Sequence, residues 1–362
     1  MITFIILTRN NPEYLQKCLG HLEAQTVKDW NAIVIDTSDE YNNELNEEQC
    51  TFVGRQVEHW PYCDDRGFAV KNNMGIKKAL ENKNCGFVCL LNDDAYINTN
   101  FVKDVIMFAG CCDHNIIAFS PLYIYENQKN KIQVMGGGMF SEDAPCGEKQ
   151  LYHDVNIDRV DPKILQTSRE IDFGYGAAIV YRREVFEQIG FLDEHLRHGF
   201  DEPDFAKRMK KQNLRIFYVP TTVHHVCGGS SIKRSFWQNL PTTLYMNRGY
   251  LYFLLKHYPA KFVIKKELGR IKKMLFHPRA LLIEVYSLAW NIYEALETRM
   301  EYHELYDEFD KIIYDAGGIK KEKLELKKVS RSEKWCDRLV SYSFAIYLLI
   351  VPCILYLTEM IL

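Results

Sequence analysis

Hydrophobic and polar positions fall into two kinds of block over the first two-thirds of the chain. Continuous apolar runs at residues 2–8, 30–36, 87–91 and 116–122 read as strands buried on both faces. Between the first two, Leu15, Cys18, Leu19 and Leu22 recur at helical spacing. Asn11-Pro12-Glu13 ahead of them supplies an N-cap, a proline at the first helical position and an acid in the first turn. Strand, helix and strand in succession make a βαβ unit, which predicts a parallel sheet. Further helices are predicted from the Asn72-Asn73 pair to about Asn82, over residues 100–112, and from the Asp201 cluster to near Gln212. Residues 123–169 read as loops and short antiparallel strands, 215–219 as a strand and 222–231 as a polar loop. The fold class is α/β, a mixed sheet flanked by helices.

The chemistry-bearing residues sit where the apolar runs stop. Asn92, Asp93 and Asp94 follow residues 87–91, at the strand end where open α/β sheets place their ligands. Adjacent carboxylates repel and are costly to bury unless positive charge lies between them. Mg²⁺ typically takes one or two carboxylates plus phosphate oxygens, so a cation carrying a phosphorylated substrate fits. The same residues also make a good solvated turn. Asp36 ends the second run, where nucleotide-binding sheets hold a ribose or base. Asn72 and Asn73, between Gly67 and Gly75 near a helix start, suit either a diphosphate or a plain cap. Asp201, Glu202 and Asp204 crowd another helix start. The macrodipole accounts for them as acids, and general-base duty is the alternative. His224 and His225, close to glycines, point to a metal or phosphate contact.

Size and charge narrow the class. A chain of 362 residues exceeds what one core usually holds, so a catalytic domain with an appendage is expected. A net charge of −3 argues against a general nucleic-acid binder. A strand begins at once at the N-terminus with no leader pattern, so the eleven cysteines read as reduced thiols. Beyond residue 235 the character changes. Over residues 261–276, Ile264, Leu268, Ile271 and Leu275 share one helical face, with Lys265, Lys266, Arg270, Lys272 and Lys273 around the rest. That is a basic amphipathic helix of the kind that lies on anionic membrane, or else a surface helix packed on the first domain. Residues 339–358 carry no charge and are long enough to span a bilayer. Arg331, Lys334 and Arg338 before them would keep the catalytic domain on the cytoplasmic face of the membrane. A buried or dimer-forming terminal helix is the competing reading. The expected division is 1–235 catalytic, 236–330 helical and partly basic, and 331–362 membrane-associating.

Taken in order, Thr8-Arg9-Asn10, Asp36, Gly67-Phe-Ala-x-x-Asn-Asn-x-Gly75, Leu91-Asn-Asp-Asp94, Gly176-Ala-Ala178, Asp201-Glu-x-Asp204 and His224-His-x-x-Gly-Gly-Ser230 resemble a family-two glycosyltransferase. The chain is most similar to the rhamnosyltransferase-like branch, and the match runs from residue 1 to about 231. The resemblance implies a nucleotide-sugar-binding, Rossmann-like domain of the A type, a divalent cation (Mg²⁺ or Mn²⁺), and transfer with inversion. It implies that Thr8, Arg9 and Asp36 lie at the donor nucleoside, and Asn72 with Asn73 near the diphosphate. Asn92-Asp93-Asp94 takes the family's Asp-x-Asp position, with Asp94 and Asp93 as metal ligands and His225 or His224 completing the site. The family reads Glu-Asp where this chain has Asp201-Glu202, so the base falls on Glu202, with Asp201 in play. The implied partners are a nucleotide-sugar donor, a lipid-linked or cell-surface glycan acceptor and a membrane surface. A homodimer is compatible with the sequence. A sugar nucleotidyltransferase would want a glycine-rich loop after the first strand, and residues 8–14 hold no glycine. The Asn92 and Asp201-Glu202 departures favour the third reading, a non-catalytic membrane-associated relative.

Overall fold

A computed structural model of the chain describes residues 1–274 except 54–55, 63–66, 142–144, 146–148 and 228–235. Two compact units divide it, Met1–Lys233 and Arg234–Leu362. The first unit runs β1 (Ile2–Thr8), α1 (Pro12–Glu23), β2 (Trp30–Asp36), α2 (Glu40–Val53), β3 (Val57–Pro61), α3 (Phe68–Glu81), β4 (Phe87–Asn92) and β5 (Ala95–Ile97). It continues with α4 (Phe101–Cys111), β6 (Ile116–Tyr125), β7 (Ile132–Met135), β8 (Gly137–Met139), β9 (Lys149–Gln150), α5 (Pro162–Gln166), β10 (Arg169–Ile171) and β11 (Phe173–Gly174). β12 (Ala178–Arg182), α6 (Glu184–Ile189), α7 (Asp201–Lys211) and β13 (Arg215–His225) complete it.

Among the described residues, one mixed sheet has the order β10-β13-β6-β12-β4-β1-β2-β3, with β5 paired to β13 and β7 to β6. The apolar runs form its centre because their alternate side chains feed two cores. Phe4 and Ile6 of β1 pack with Leu15 and Leu19 of α1 and with Phe101 and Val105 of α4. Ile5 points the other way, among Ile76 of α3, Phe186 of α6 and Phe205 of α7. Each fully buried side chain of this size contributes roughly 1.5–3 kcal/mol, so the two faces of the sheet dominate its stability. β1, β2 and β4 are parallel and end level, Thr8 opposite Asp36 and Leu7 opposite Asn92. The chain leaves β1 towards β2 and β3, then returns to β4 on the other side. That reversal is the topological switch point at which such sheets bind ligands.

The differences from the sequence reading have local causes. α2 and β3 are absent from that reading, since α2 is mostly polar and β3 is a short, half-exposed strand with no long apolar run. α3 begins at Phe68, so Asn72 and Asn73 lie in its second turn, buried, rather than at its N-terminus. β13 runs on through His225 where a loop is expected, because β6 and β5 offer it partners on both sides. Pro121, in the middle of β6, cannot donate to the ladder, and the β6–β13 register shifts between Tyr218 and Thr222.

The second unit's described residues form two helices, α8 (Phe236–His257) and α9 (Ala260–Met274). The Arg270 guanidinium ties them, lying 4.1 Å from the Tyr250 ring centre and donating to Asn247 Oδ1 at 2.9 Å. Lys261, Lys265, Leu268 and Lys272 are exposed on one stripe of α9, so Leu268 does not sit in a covered apolar face. The side chains of Ile264 and Ile271, and all of 275–362 including the uncharged run at 339–358, lie outside the described residues. No described helix is long and apolar enough to cross a membrane.

α3 approaches β1 most closely at Gly75, where an added Cβ would stand 2.4 Å from Ile5 Cγ2. Gly75→Ala is therefore expected to lower stability by about 1–3 kcal/mol, read as an earlier midpoint in urea unfolding.

Candidate active site

The level ends of β1 and β4 place Thr8 beside Asp93, and the Thr8 hydroxyl donates to Asp93 Oδ2 at 2.8 Å. Burial, opposed by that bond and reinforced by the neighbouring charge of Asp94, pushes the Asp93 carboxyl up to about 7. Asp94 turns towards β13. The antiparallel pairing of β5 with β13 sets His225 opposite Ala95, and Val226 N–H donates to the Asp94 carbonyl at 3.0 Å. His225 Nε2 consequently lies 3.1 Å from Asp94 Oδ1, with both side chains largely buried. Successive strand residues face opposite ways. His224 therefore leaves this site and stands 3.4 Å from Glu126 Oε2. Burial, against the pull of Glu126, holds its imidazole below the ordinary histidine range.

The second acidic cluster reaches the same strand ends through β12. β12 runs antiparallel to β4, and Asn92 N–H donates to the Ala177 carbonyl at 3.0 Å. One residue earlier, Gly176 N–H donates to Glu202 Oε1 at 3.0 Å. α7 thus presents Glu202 against the turn that touches Asn92. Asp201 is buried beside it, and burial together with the charge of Glu202 drives its carboxyl well above the usual range. Glu202 is also raised by burial, but its own backbone, Gly176 and Asp201 all hydrogen-bond it and oppose the rise. Asp201 Oδ2 is buried with no hydrogen-bond partner, a position that a neutral carboxyl tolerates far better than a charged one. Of the two, Asp201 is therefore the better placed to hold a proton and Glu202 the better placed to be the carboxylate. Asp204, in the same turn, is paired to Arg208 at 3.0 Å one helical turn on. Arg208 also donates to the carbonyls of Ile189 and Phe191.

Glycosyl transferase family 2 matches residues 3–190, just over half of the chain. The chain belongs to that family. Agl10, a low-salt glycan biosynthesis hexosyltransferase of Haloferax volcanii, is 25% identical over 152 residues, which is 42% of this chain and 46% of that protein. The chain thus aligns with less than half of this relative's length. Among solved structures, GalNAc-T7 crystallised with UDP, GalNAc and Mn²⁺ superposes with a TM-score of 0.51 at 15% identity, covering 75% of this chain and 57% of that one. S. aureus TarS superposes at 0.46 with 14% identity, covering 87% and 80%. The likeness to GalNAc-T7 shows the fold, the A-type glycosyltransferase sheet with flanking helices.

The structure sorts the residues picked from the glycosyltransferase motifs. It brings together Thr8, Asp93, Asp94, His225 and Glu202, with Asp201 behind Glu202. Four others have side chains engaged within the protein. Asp36 is fully buried: His59 Nε2 lies 2.9 Å and Asn46 Nδ2 2.8 Å from Oδ2, and Ser38 N–H donates to Oδ1. Burial alone would raise this carboxyl, yet these bonds outweigh it and hold the group low. The role of Asp36 is to brace Ser38, whose hydroxyl accepts the Asn10 N–H in the loop after β1. The Asn73 amide is taken by the Leu192 backbone and Glu194, and the Asn72 amide donates to the Phe68 carbonyl. Asn72 thus bonds within α3, and Asn73 ties α3 to the loop before α7. His224 is the fourth, by the strand alternation described above. Arg9 is exposed in the turn after β1, its carbonyl accepting from Asn11.

Gln133, Tyr175 and the Gly176 N–H are site components that the sequence reading did not single out individually for this role. Gln133 lies in a weakly patterned stretch, Tyr175 is an uncharged residue of a glycine-rich turn, and a backbone donor has no side-chain signature. The close fit at Gly176 yields a direct test, because a Cβ there would stand 2.1 Å from Glu202 Oε1. Gly176→Ala is expected to displace the carboxylate and lower kcat by roughly 10²-fold or more with the fold retained, measured by turnover alongside circular dichroism.

Proposed function

We propose that this family 2 glycosyltransferase is a metal-dependent inverting enzyme. It moves a sugar, with rhamnose as the first candidate, from a nucleotide-sugar to a hydroxyl of a lipid-linked or cell-surface glycan. The observation that carries the reading is the placement of the Asp94–His225 pair and the Glu202 carboxylate at the ends of neighbouring strands. Inversion needs one carboxylate to take the acceptor proton and a separate positive centre at the leaving group. The acceptor oxygen forms its bond to the anomeric carbon as the bond to the diphosphate breaks, and the hydroxyl proton passes to Glu202. Asp201, holding its own proton, keeps Glu202 ionised and aimed. The described residues form no cage of three or more metal-ligating side chains. Asp94 and His225 nevertheless fit a hard cation that takes its remaining ligands from phosphate oxygens and water. Such a cation, when bound, would neutralise charge developing on the leaving diphosphate. The hexosyltransferase description of Agl10 and the UDP and Mn²⁺ in the GalNAc-T7 crystal agree with this reading.

The reading places the enzyme on the cytoplasmic face of a membrane, where a lipid-linked acceptor is presented. The exposed stripe Lys261, Lys265, Lys272 with Leu268 on α9 supports this, since lysines flanking an exposed leucine suit an anionic lipid surface.

Glu202→Gln is expected to lower kcat by roughly 10²–10⁴-fold with little change in donor KM. Asp201→Asn, which still offers a donor to Glu202, should cost far less. Wild-type kcat should rise with pH through a value above the ordinary carboxylate range, because Glu202 must be ionised to accept a proton and burial raises it. EDTA should abolish transfer and Mn²⁺ restore it; full activity in EDTA overturns the metal assignment. A large loss confined to Asp201→Asn moves the base one residue back. For the membrane surface, charge reversal at Lys261, Lys265 and Lys272 together should weaken sedimentation with anionic vesicles, and salt should weaken the wild type likewise.

A further inference from the structure

Gln133 is buried to 2% exposure on β7, in a stretch whose pattern marks no functional residue. Its Oε1 lies 2.9 Å from His225 Nδ1. Tyr175 packs edge-on to the His225 ring at 6.5 Å, and its carbonyl accepts the Tyr123 hydroxyl at 2.7 Å. The imidazole is therefore held on one side by a buried amide.

An amide oxygen has no hydrogen to give, so its bond to Nδ1 exists only when Nδ1 carries the hydrogen. The neutral ring then has a bare Nε2, whose lone pair faces Asp94 Oδ1 at 3.1 Å. A lone pair against a carboxylate oxygen is repulsive. The contact becomes favourable with a proton between the two groups, on Nε2 or on the carboxyl, or with a metal ion shared by them. With the amide reversed, its nitrogen would donate to a bare Nδ1, Nε2 would keep a hydrogen, and that hydrogen would block a cation from the pair.

We propose that Gln133 is a positioning residue that pins the His225 hydrogen on Nδ1 and so leaves Nε2 open to a divalent cation shared with Asp94. This rests on the reading of Asp94 and His225 as cation ligands. Outer partners of this kind commonly set the tautomer of a ligating histidine, and their loss costs roughly 10–100-fold in metal affinity.

The test uses full-length protein labelled with ¹⁵N-histidine, with the His225 signal assigned by its loss in His225→Gln. In metal-free wild type, at a pH where the ring is neutral, long-range ¹H–¹⁵N spectra should show hydrogen on Nδ1 and a bare Nε2. Gln133→Leu should lose that preference and bind Mn²⁺ roughly 10–100-fold more weakly by calorimetry. Gln133→Glu, whose carboxylate still accepts from Nδ1, should keep both the tautomer and the affinity near wild type. Hydrogen on Nε2 in the wild type overturns the proposal without recourse to any variant. So does a Gln133→Leu protein with unchanged tautomer and affinity, or a folded Gln133→Glu as impaired as Gln133→Leu. If wild type binds no Mn²⁺ while the tautomer responds as expected, the cation reading falls and the positioning role of Gln133 stands.

Discussion

The 3.1 Å approach of His225 to Asp94 is the contact on which the arrangement of this site depends. It joins residues 131 positions apart, and no local preference of either segment produces it. Its cause is the pairing of the three-residue strand β5 with the end of β13, which carries the chain just past Asp94 back along β13. The same alternation that aims His225 inward sends His224 out to Glu126, and so decides which of two adjacent histidines belongs to the site.

Two acidic clusters share one end of the sheet without sharing one electrostatic state. Asp94 faces an imidazole, whereas Asp93 faces a hydroxyl and is pushed by burial up to about 7. At the start of α7 the two carboxyl groups stand side by side, and burial raises both, Asp201 the further. Neighbouring acids whose surroundings separate their protonation states can divide catalytic labour, and the Gly176 N–H favours the ionised form of Glu202. Asp36 shows the opposite use of a buried carboxylate. With its oxygens bonded to His59, Asn46 and Ser38, it holds the loop after β1 in place.

The family relationship and this geometry meet in the loops rather than in the sheet. β1, β2 and β4 supply level ends, a property common to open α/β sheets and compatible with many chemistries. What particularises the site is the traffic at those ends: Thr8 to Asp93, Asn92 to Ala177, Gly176 to Glu202 and Gln133 to His225.

Much of the frame was legible in the chain. Short unbroken apolar runs cut off by polar residues read as strands covered on both faces, and the spacing of Leu15, Cys18, Leu19 and Leu22 fits one helical stripe. Those local rules predicted β1, α1, β2 and β4, with acids at the ends of β2 and β4, and the motif order pointed to the family. α2 and β3 escaped, because a mostly polar helix and a short half-exposed strand carry little periodic signal. The burial of Asp36, the removal of Asn72 and Asn73 from a helix terminus, the parting of His224 from His225 and the role of Gln133 were decided by tertiary structure alone. Each depends on which strand lies beside which and in what register. Register is a property of two segments distant in the chain, so neither segment's own pattern contains it.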